Sequence, residues 1–273
     1  MDEKEAAILR VITGLWETYE WVPVSEIVRR VPWNALKVKA KIREMERKKL
    51  VLWNPRLMGE PSVKVTERGM DAIALWDLLK SGVVEKIGGV VGEGKEAKII
   101  LALKGEERYA IKLHRYYSAE FKHIKKSLAY AMLRWWRFEL RRLWRPLDVA
   151  RAKAQVEYYA LKKLYPDVAV PRPITINRHA VVMEFIGDDI PAPLLSEVRD
   201  VTQEMMDEVV ENYMKALERG IVHGDMSEYN VMVWDRCYLI DWPQAVPRDF
   251  EGAEKLIERD IKNIQRFFEK KLS

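Results

Sequence analysis

The sequence holds one cysteine, Cys237, in 273 residues, and this excludes an internal disulfide framework. Its four histidines are scattered rather than grouped and suggest no zinc site. No uninterrupted apolar run approaches the ~18–20 residues that a membrane helix needs. The opening "MDEKEAAILR" is acidic and lacks the pattern of a signal peptide. These absences point to a reducing compartment, the cytoplasm, and to no membrane. What is present is 48% hydrophobic and 33% charged residues, the composition of a globular chain rather than a disordered one. The length suits one large domain or two smaller ones.

The formal net charge is +5, but its distribution says more. Residues 30–56 hold nine Lys/Arg against two Glu, and residues 112–145 hold ten against two. From residue 200 onward there are sixteen Asp/Glu against ten Lys/Arg. A single basic helix is usually just a solvated face. Two basic zones ahead of an acidic C-terminal third suggest a polyanion met by particular surfaces, and RNA is the expected one.

The first 80 residues read as a unit. "EKEAAILRVITGLWETYEW" has helical spacing at Ile8, Leu9, Ile12, Leu15, Trp16 and Tyr19. "PVSEIVRRV" predicts a short second helix capped by Ser25. "PWNALKVKAKIREMERKKL" predicts a third, with Leu36, Ala40, Ile42 and Met45 inward and Lys37, Lys39, Lys41, Arg43, Arg47 and Lys48 on its other surfaces. "LVLWNP" and "SVKVT" predict two strands around a Gly/Pro loop, and "ERGMDAIALWDLLKSG" a closing helix. The pattern is that of a winged helix-turn-helix, whose third helix normally enters a groove. Lys37, Lys39, Lys41, Arg43 and Lys48 are the expected RNA contacts.

A second architecture begins after "KSGVVEKIGG". "KIGGVVGEGKEAKIILALKGEERYAIKLHRY" reads as three strands joined by turns, with Gly92, Gly94 and Ala97 in the slots of a G-x-G-x-x-(G/A) loop. Backbone amides can approach phosphates where no bulky Cβ intervenes, although a glycine-rich hairpin alone is weak evidence. Lys112, in "YAIKLH", occupies the strand position of a phosphate-pairing lysine. Glu157 shares a helical face with Ala154, Leu161 and Leu164. A carboxylate there is costly unless paired, which favours Lys112 as its partner over a surface bridge to Lys153. "HAVVMEFIG" reads as a buried strand ending in a hinge at Gly187, where adenine would use backbone groups of Glu184 to Ile186.

"HGDMSEYN" matches the catalytic-loop spacing H-R-D-x-x-x-x-N of protein kinases, with Gly224 in place of Arg. In that reading Asp225 orients or deprotonates the attacking hydroxyl, and Asn230 reaches a magnesium ion on the phosphates. "VMVW" and "CYLI" predict a hairpin that delivers Asp241 as the second metal ligand. An Asx-turn or a strand cap explains any one of the three residues, but not all three in order behind the glycine loop, Lys112 and Glu157.

With these motifs the chain resembles the RIO atypical serine/threonine protein kinases, in the branch (the second subfamily) with an N-terminal winged helix. The likeness rests on "GEGKEA", "AIKLHR", "NRHAVVMEFIG", "HGDMSEYN", "LIDWPQAV" and "AEKLIERDIKNIQRFF". It implies an α+β chain: a winged helix over 1–82, then a compact two-lobed kinase-like domain over 83–273, with an N-lobe to about 186. The activation segment and peptide-binding subdomains of ordinary kinases would be lacking. It further implies Asp225 as catalytic aspartate, Asn230 and Asp241 as metal ligands, and Asp241 as candidate phosphoaspartate. Gly92, Glu93, Gly94, Lys95 and Glu96 would be the phosphate loop, with Lys112, Glu157, Glu184 and Ile186 completing the ATP site. The implied cofactors are ATP and Mg2+, with Mn2+ an alternative ion. The implied partner is the pre-small ribosomal subunit and its rRNA, met by a monomer. Trp242 and Met226 stand where related sequences often have Phe, and "YYSAEFKHIKKSLAY", which includes Ser118, only loosely matches the family's flexible loop. No A-P-E motif occurs among the 32 residues that follow Asp241, so a peptide would bind otherwise, or water would be the acceptor. Two other readings remain open: a small-molecule phosphotransferase of the aminoglycoside-kinase type, and a non-catalytic RNA-binding assembly scaffold that uses ATP as a conformational ligand.

Overall fold

The computed structural model describes residues 1–136 and 145–273, so part of the second basic zone lies outside the described residues. The chain divides into two units, Met1–Val84 and Glu85–Ser273.

In the first unit, α1 (Glu3–Gly14) starts in a capping box: the Glu5 amide donates to Asp2 Oδ1, and the Asp2 amide donates to Glu5 Oε2. It stops at Gly14 rather than continuing to Trp21, and the chain turns back on itself through the Leu15 carbonyl. β1 (Val22–Pro23) leads directly into α2 (Val24–Val28). Ser25 lies inside α2 instead of capping it, and its hydroxyl donates to Glu60 at 2.8 Å. Asn34 caps α3 (Ala35–Arg47) by accepting from the Lys37 amide. That start point sets the inward face: Val38, Ile42 and Met45 are fully buried at i, i+4 and i+7. Leu36 and Ala40, expected inward, face out, Leu36 being 80% exposed. β2 (Val51–Asn54) and β3 (Ser62–Val65) form the wing, and β1 adds to β3 to give the antiparallel order β1-β3-β2. Thr66 caps α4 (Glu67–Lys80), which closes a winged helix.

In the second unit, β4 (Lys86–Glu93), β5 (Ala97–Lys104) and β6 (Glu107–His114) form a meander. After α5 (Ser118–Trp136) and α6 (Pro146–Leu164), β7 (Pro173–Asn177) and β8 (Ala180–Glu184) complete an antiparallel sheet ordered β4-β5-β6-β8-β7. The "YYSAEFKHIKKSLAY" stretch is therefore largely helical. Phe121, Ile124, Leu128 and Met132 give α5 an apolar stripe, which enters the main core with α6. The rest is helical with short hairpins: α7 (Gln203–Glu218), β9 (Ile221–Val222), β10 (Val231–Val233), β11 (Cys237–Leu239), β12 (Val246–Pro247) and α8 (Ala253–Leu272). β9 pairs with β12 and β10 with β11, and α7 and α8 pack against them. Among the described residues no helix is long and apolar enough to cross a membrane.

One close approach in the first unit is testable. A Cβ on Gly69, in the first turn of α4, would stand 2.0 Å from the Leu50 carbonyl oxygen. Overpacking of about 1–3 kcal/mol should outweigh the gain of up to ~1 kcal/mol in helix propensity on Gly69→Ala. Amide hydrogen exchange on the full chain should then show faster opening within residues 1–84 and none within 85–273. Equal protection in both proteins would show that the backbone at Leu50 gives way freely.

Candidate active site

The strand β6 points alternate side chains to one face, so Lys112 and His114 project together. The Lys112 ammonium lies 2.7 Å from Glu157 Oε1 on α6 and 2.7 Å from Asp241 Oδ1 beyond β11. Burial opposes its charge, but Asp241 and Glu157 outweigh burial and raise its pKa. Glu157 is equally buried; burial would raise its carboxyl, yet Lys112 and His114 hold it well below the usual range. His114 Nε2 meets Glu157 Oε2 at 2.6 Å, and burial pushes the imidazole down to about 4. The ring is therefore neutral near pH 7 and donates to a carboxylate already held by a lysine. The Trp242 amide also donates to Glu157 Oε1, at 3.2 Å.

The tip of the β4–β5 hairpin carries the expected phosphate loop. Gly92 pairs with Ile99 and Glu93 with Lys98, whose ammonium bridges the Glu93 carboxylate at 2.8 Å. The Gly94 amide closes the turn onto the Ala97 carbonyl, and a Cβ there would meet little of the protein. Lys95 lies over the Tyr117 ring, 5.5 Å from its centre. Glu96 is 3.6 Å from the buried Lys153.

The loop after β9 brings in the remaining acceptors. Gly224 has φ +79°, and a Cβ there would stand 2.8 Å from the Gln244 carbonyl oxygen. An arginine at this position, as in H-R-D, would therefore be strained and crowded. Asp225 receives the Gln244 side-chain amide at 3.3 Å. Burial, with help from the Asp241 and Glu96 carboxylates and against His223 and Arg259, raises the Asp225 pKa. The Asn230 side-chain amide donates to the Asp225 backbone carbonyl at 2.7 Å. The β10–β11 register aligns Val231 with Leu239, and the Ile240 amide donates to the Asn230 carbonyl, so Asn230 and Asp241 emerge at one end of that hairpin. Asp241 has φ +65°, a left-handed conformation that costs a non-glycine residue energy.

Two hard oxygen donors result. Asn230 commits its nitrogen to Asp225, which leaves its side-chain oxygen for a ligand, and the Asp241 carboxylate is 38% exposed. An oxygen-only set with room for water and phosphate suits magnesium. At the hinge, Glu184 is engaged with Arg172 through both its amide and its carboxylate, and the Ile186 carbonyl accepts from Ala192.

The expected RNA contacts lie in the first unit. Lys37 and Lys39 are exposed on α3. Lys41 is bonded to Asp2 and Glu44, Lys48 to Glu5 and Glu44, and Arg43 to Glu46 while stacking over Trp53.

Sequence reasoning missed four groups in and around the site. Asp260, fully buried on α8, accepts from the Gly224 and Met226 amides at 2.8 and 3.1 Å and from the Tyr213 hydroxyl at 2.9 Å. Its signal was present: on α8 it shares the inward face with Ile257, Ile264 and Phe268, the same anomaly that picked out Glu157. His114 could have been found from its i+2 spacing to Lys112 on a strand. Gln244 and the burial of Lys153 had no local signal.

A family model described as the RIO domain matches residues 98–273. The RIO-type serine/threonine-protein kinase Rio2 of Methanocaldococcus jannaschii is 31% identical over 262 residues, covering 92% of this chain and 91% of that protein. The serine/threonine-protein kinase rio2 of Dictyostelium discoideum is 31% identical over 94% of this chain, which spans 48% of that longer protein. In fold, the chain is similar to the Rio2 kinase of Chaetomium thermophilum, solved as an ADP/Mg2+-phosphoaspartate complex. That match has a TM-score of 0.80 at 22% identity and covers 100% of this chain and 81% of that one. With the RIO domain over residues 98–273 and a RIO-type serine/threonine-protein kinase matched over 92% of its length, the chain belongs to the RIO family.

Proposed function

We propose that this chain is a serine/threonine kinase and ATPase that uses Mg-ATP and acts in maturation of the small ribosomal subunit, with α3 of its winged helix on RNA. The observation that carries the catalytic part is the convergence of Lys112, Glu157 and Asp241 within 2.7 Å contacts, beside Asp225 and under the phosphate loop. Lys112, already charged and fixed, would hold phosphate oxygens. Gly94 leaves backbone amides approachable from outside, because nothing in the protein itself requires glycine there. Magnesium held by Asn230 and Asp241 would supply charge neutralisation on the phosphates. Asp225, its pKa raised, would take the proton of the attacking hydroxyl or orient a water. Asp241 is the residue that would carry a phosphoaspartate of the kind described for the Chaetomium protein. The exposed Lys37 and Lys39 on α3, with the basic zone after β6, support a polyanionic partner.

The roles of the two aspartates separate experimentally. Asp225→Asn should leave Mg-ATP affinity nearly intact and slow single-turnover transfer by about 10²–10⁴-fold, the usual contribution of a general base. Asp241→Ala should weaken binding of ATP in magnesium much more than without it. Equal losses of affinity, or full turnover in Asp225→Asn, would remove the role assignment and favour the ATP-binding scaffold.

Asp260 acts on the loop that presents Asp225. Asp260→Asn turns a donor toward backbone amides and should cost about 2–3 kcal/mol of stability. At a temperature where the variant is folded, turnover should fall while ATP affinity, measured by calorimetry, stays close to wild type. A variant with normal turnover would show that the loop keeps its shape without the carboxylate.

For RNA, Lys37→Glu with Lys39→Glu should weaken binding to structured rRNA and reduce the slope of log K against log salt by about 0.7–0.9 per lost contact. ATP turnover of the free protein should not change. An unaltered slope would move the RNA surface away from α3.

A further inference from the structure

Lys153 is the one fully buried cation on α6, and neither the motifs nor the mechanism above uses it. Its side chain is 0% exposed, one helical turn before Glu157. A buried ammonium is costly unless paired, and two carboxylates pair it. Glu120 of α5, itself nearly buried, accepts from it at 2.7 Å. Glu96, the last residue of the phosphate loop before β5, lies 3.6 Å away with its own carboxylate 42% exposed. The Glu96 carbonyl also accepts from the Arg115 amide at 2.8 Å. The loop tip is thus tied at both its backbone and its carboxylate to elements that follow β6.

We infer that Lys153 is a positioning residue for nucleotide binding: through Glu96 it fixes the phosphate loop at a set distance from Lys112, with α6 as the common frame. Glu157 holds Lys112 and Lys153 holds Glu96, so one rigid helix, through residues a single turn apart, locates both groups expected at the phosphates. Glu120, at 2.7 Å, holds the ammonium in place beside the loop. Burial pushes the Glu120 carboxyl up to about 7, against Lys153 and with help from Glu96, so Glu120 alone does not saturate the lysine. The inference rests on the nucleotide site proposed above.

Lys153→Met alone strands Glu120, so the informative variant is Glu120→Leu with Lys153→Met, which replaces a buried pair by apolar groups and should fold. In the nucleotide-free full chain, amides of residues 92–97 should exchange faster, with those of α6 unchanged. The KM for Mg-ATP should rise by about tenfold with kcat within about twofold, the signature of lost uniform binding. Glu96→Gln should give the same rise and add nothing to the double variant, whereas Lys153→Arg should stay near wild type. Wild-type KM and wild-type exchange at 92–97 in the double variant would overturn the inference while leaving the nucleotide site standing. A wild-type protein that binds no Mg-ATP would overturn both.

Discussion

The second unit is organised around a buried ammonium. Lys112 sits in the sheet with its side chain only 9% exposed. An isolated charge there would cost several kcal/mol or be lost to deprotonation. Carboxylates must come to it, and the two that do belong to separate parts of the chain, α6 and the exit of β11. Their convergence ties the sheet, the helix and the C-terminal hairpins to one another, and displacing the sheet or the helix would leave Glu157 buried without its lysine, at a cost of about 3–5 kcal/mol. Glu157 is the hub. Three donors reach its two oxygens: Lys112, the Trp242 amide and His114. Because His114 is held neutral by burial, it adds a hydrogen bond without a second positive charge.

The loop bearing Asp225 is shaped by a different solution to the same problem. Asp260 is as buried as Glu157, but its donors are neutral: two backbone amides and a phenol. Arg259 is next to it in sequence yet only 4.0 Å away across the pair, and it serves the Gly224 carbonyl instead. Asn263, one turn beyond Arg259, serves the Met226 carbonyl. Residues 259, 260 and 263 of α8 thus hold the peptide groups on both sides of Asp225. The helix reads on paper as an amphipathic tail, yet it sets the geometry of the loop that bears Asp225. The left-handed Gly224 is the matching feature in the loop, since only a residue without a Cβ lets the backbone lie against Gln244 while its amide faces Asp260.

Much of this site was legible because its members sit in motifs with fixed local spacing. The glycine loop, Lys112, the Asp225–Asn230 interval and Asp241 each follow from where a hairpin or strand must end. Glu157 was legible for a second reason: a carboxylate among apolar helix positions demands a partner. The same reasoning applied to Asp260 would have exposed it, and it passed unnoticed because its partners are backbone amides, which leave no residue type to look for. Lys153 was harder. Lysines near a helix surface usually reach water, and only the arrival of Glu120 and Glu96 from distant segments buries this one. In α3 the expected inward face included Leu36 and Ala40; the cap at Asn34 and the packing of Val38 chose one that leaves both exposed.

The winged helix shows why charge counted along a chain is a poor guide to charge felt in space. The five basic residues expected to meet RNA, Lys37, Lys39, Lys41, Arg43 and Lys48, look equivalent in sequence. In the fold, Lys41 and Lys48 close on Asp2, Glu5 and Glu44, and Asp2 and Glu5 also build the N-terminal cap of α1. Glu5 is fully buried, so Lys48 is needed to balance it and is not free to follow a phosphate without cost. Lys37 and Lys39 have no such obligation to the α1 cap. The exposed Lys37 and Lys39 toward the start of α3, beside the exposed Leu36, are therefore freer to meet a polyanion than Lys41 and Lys48.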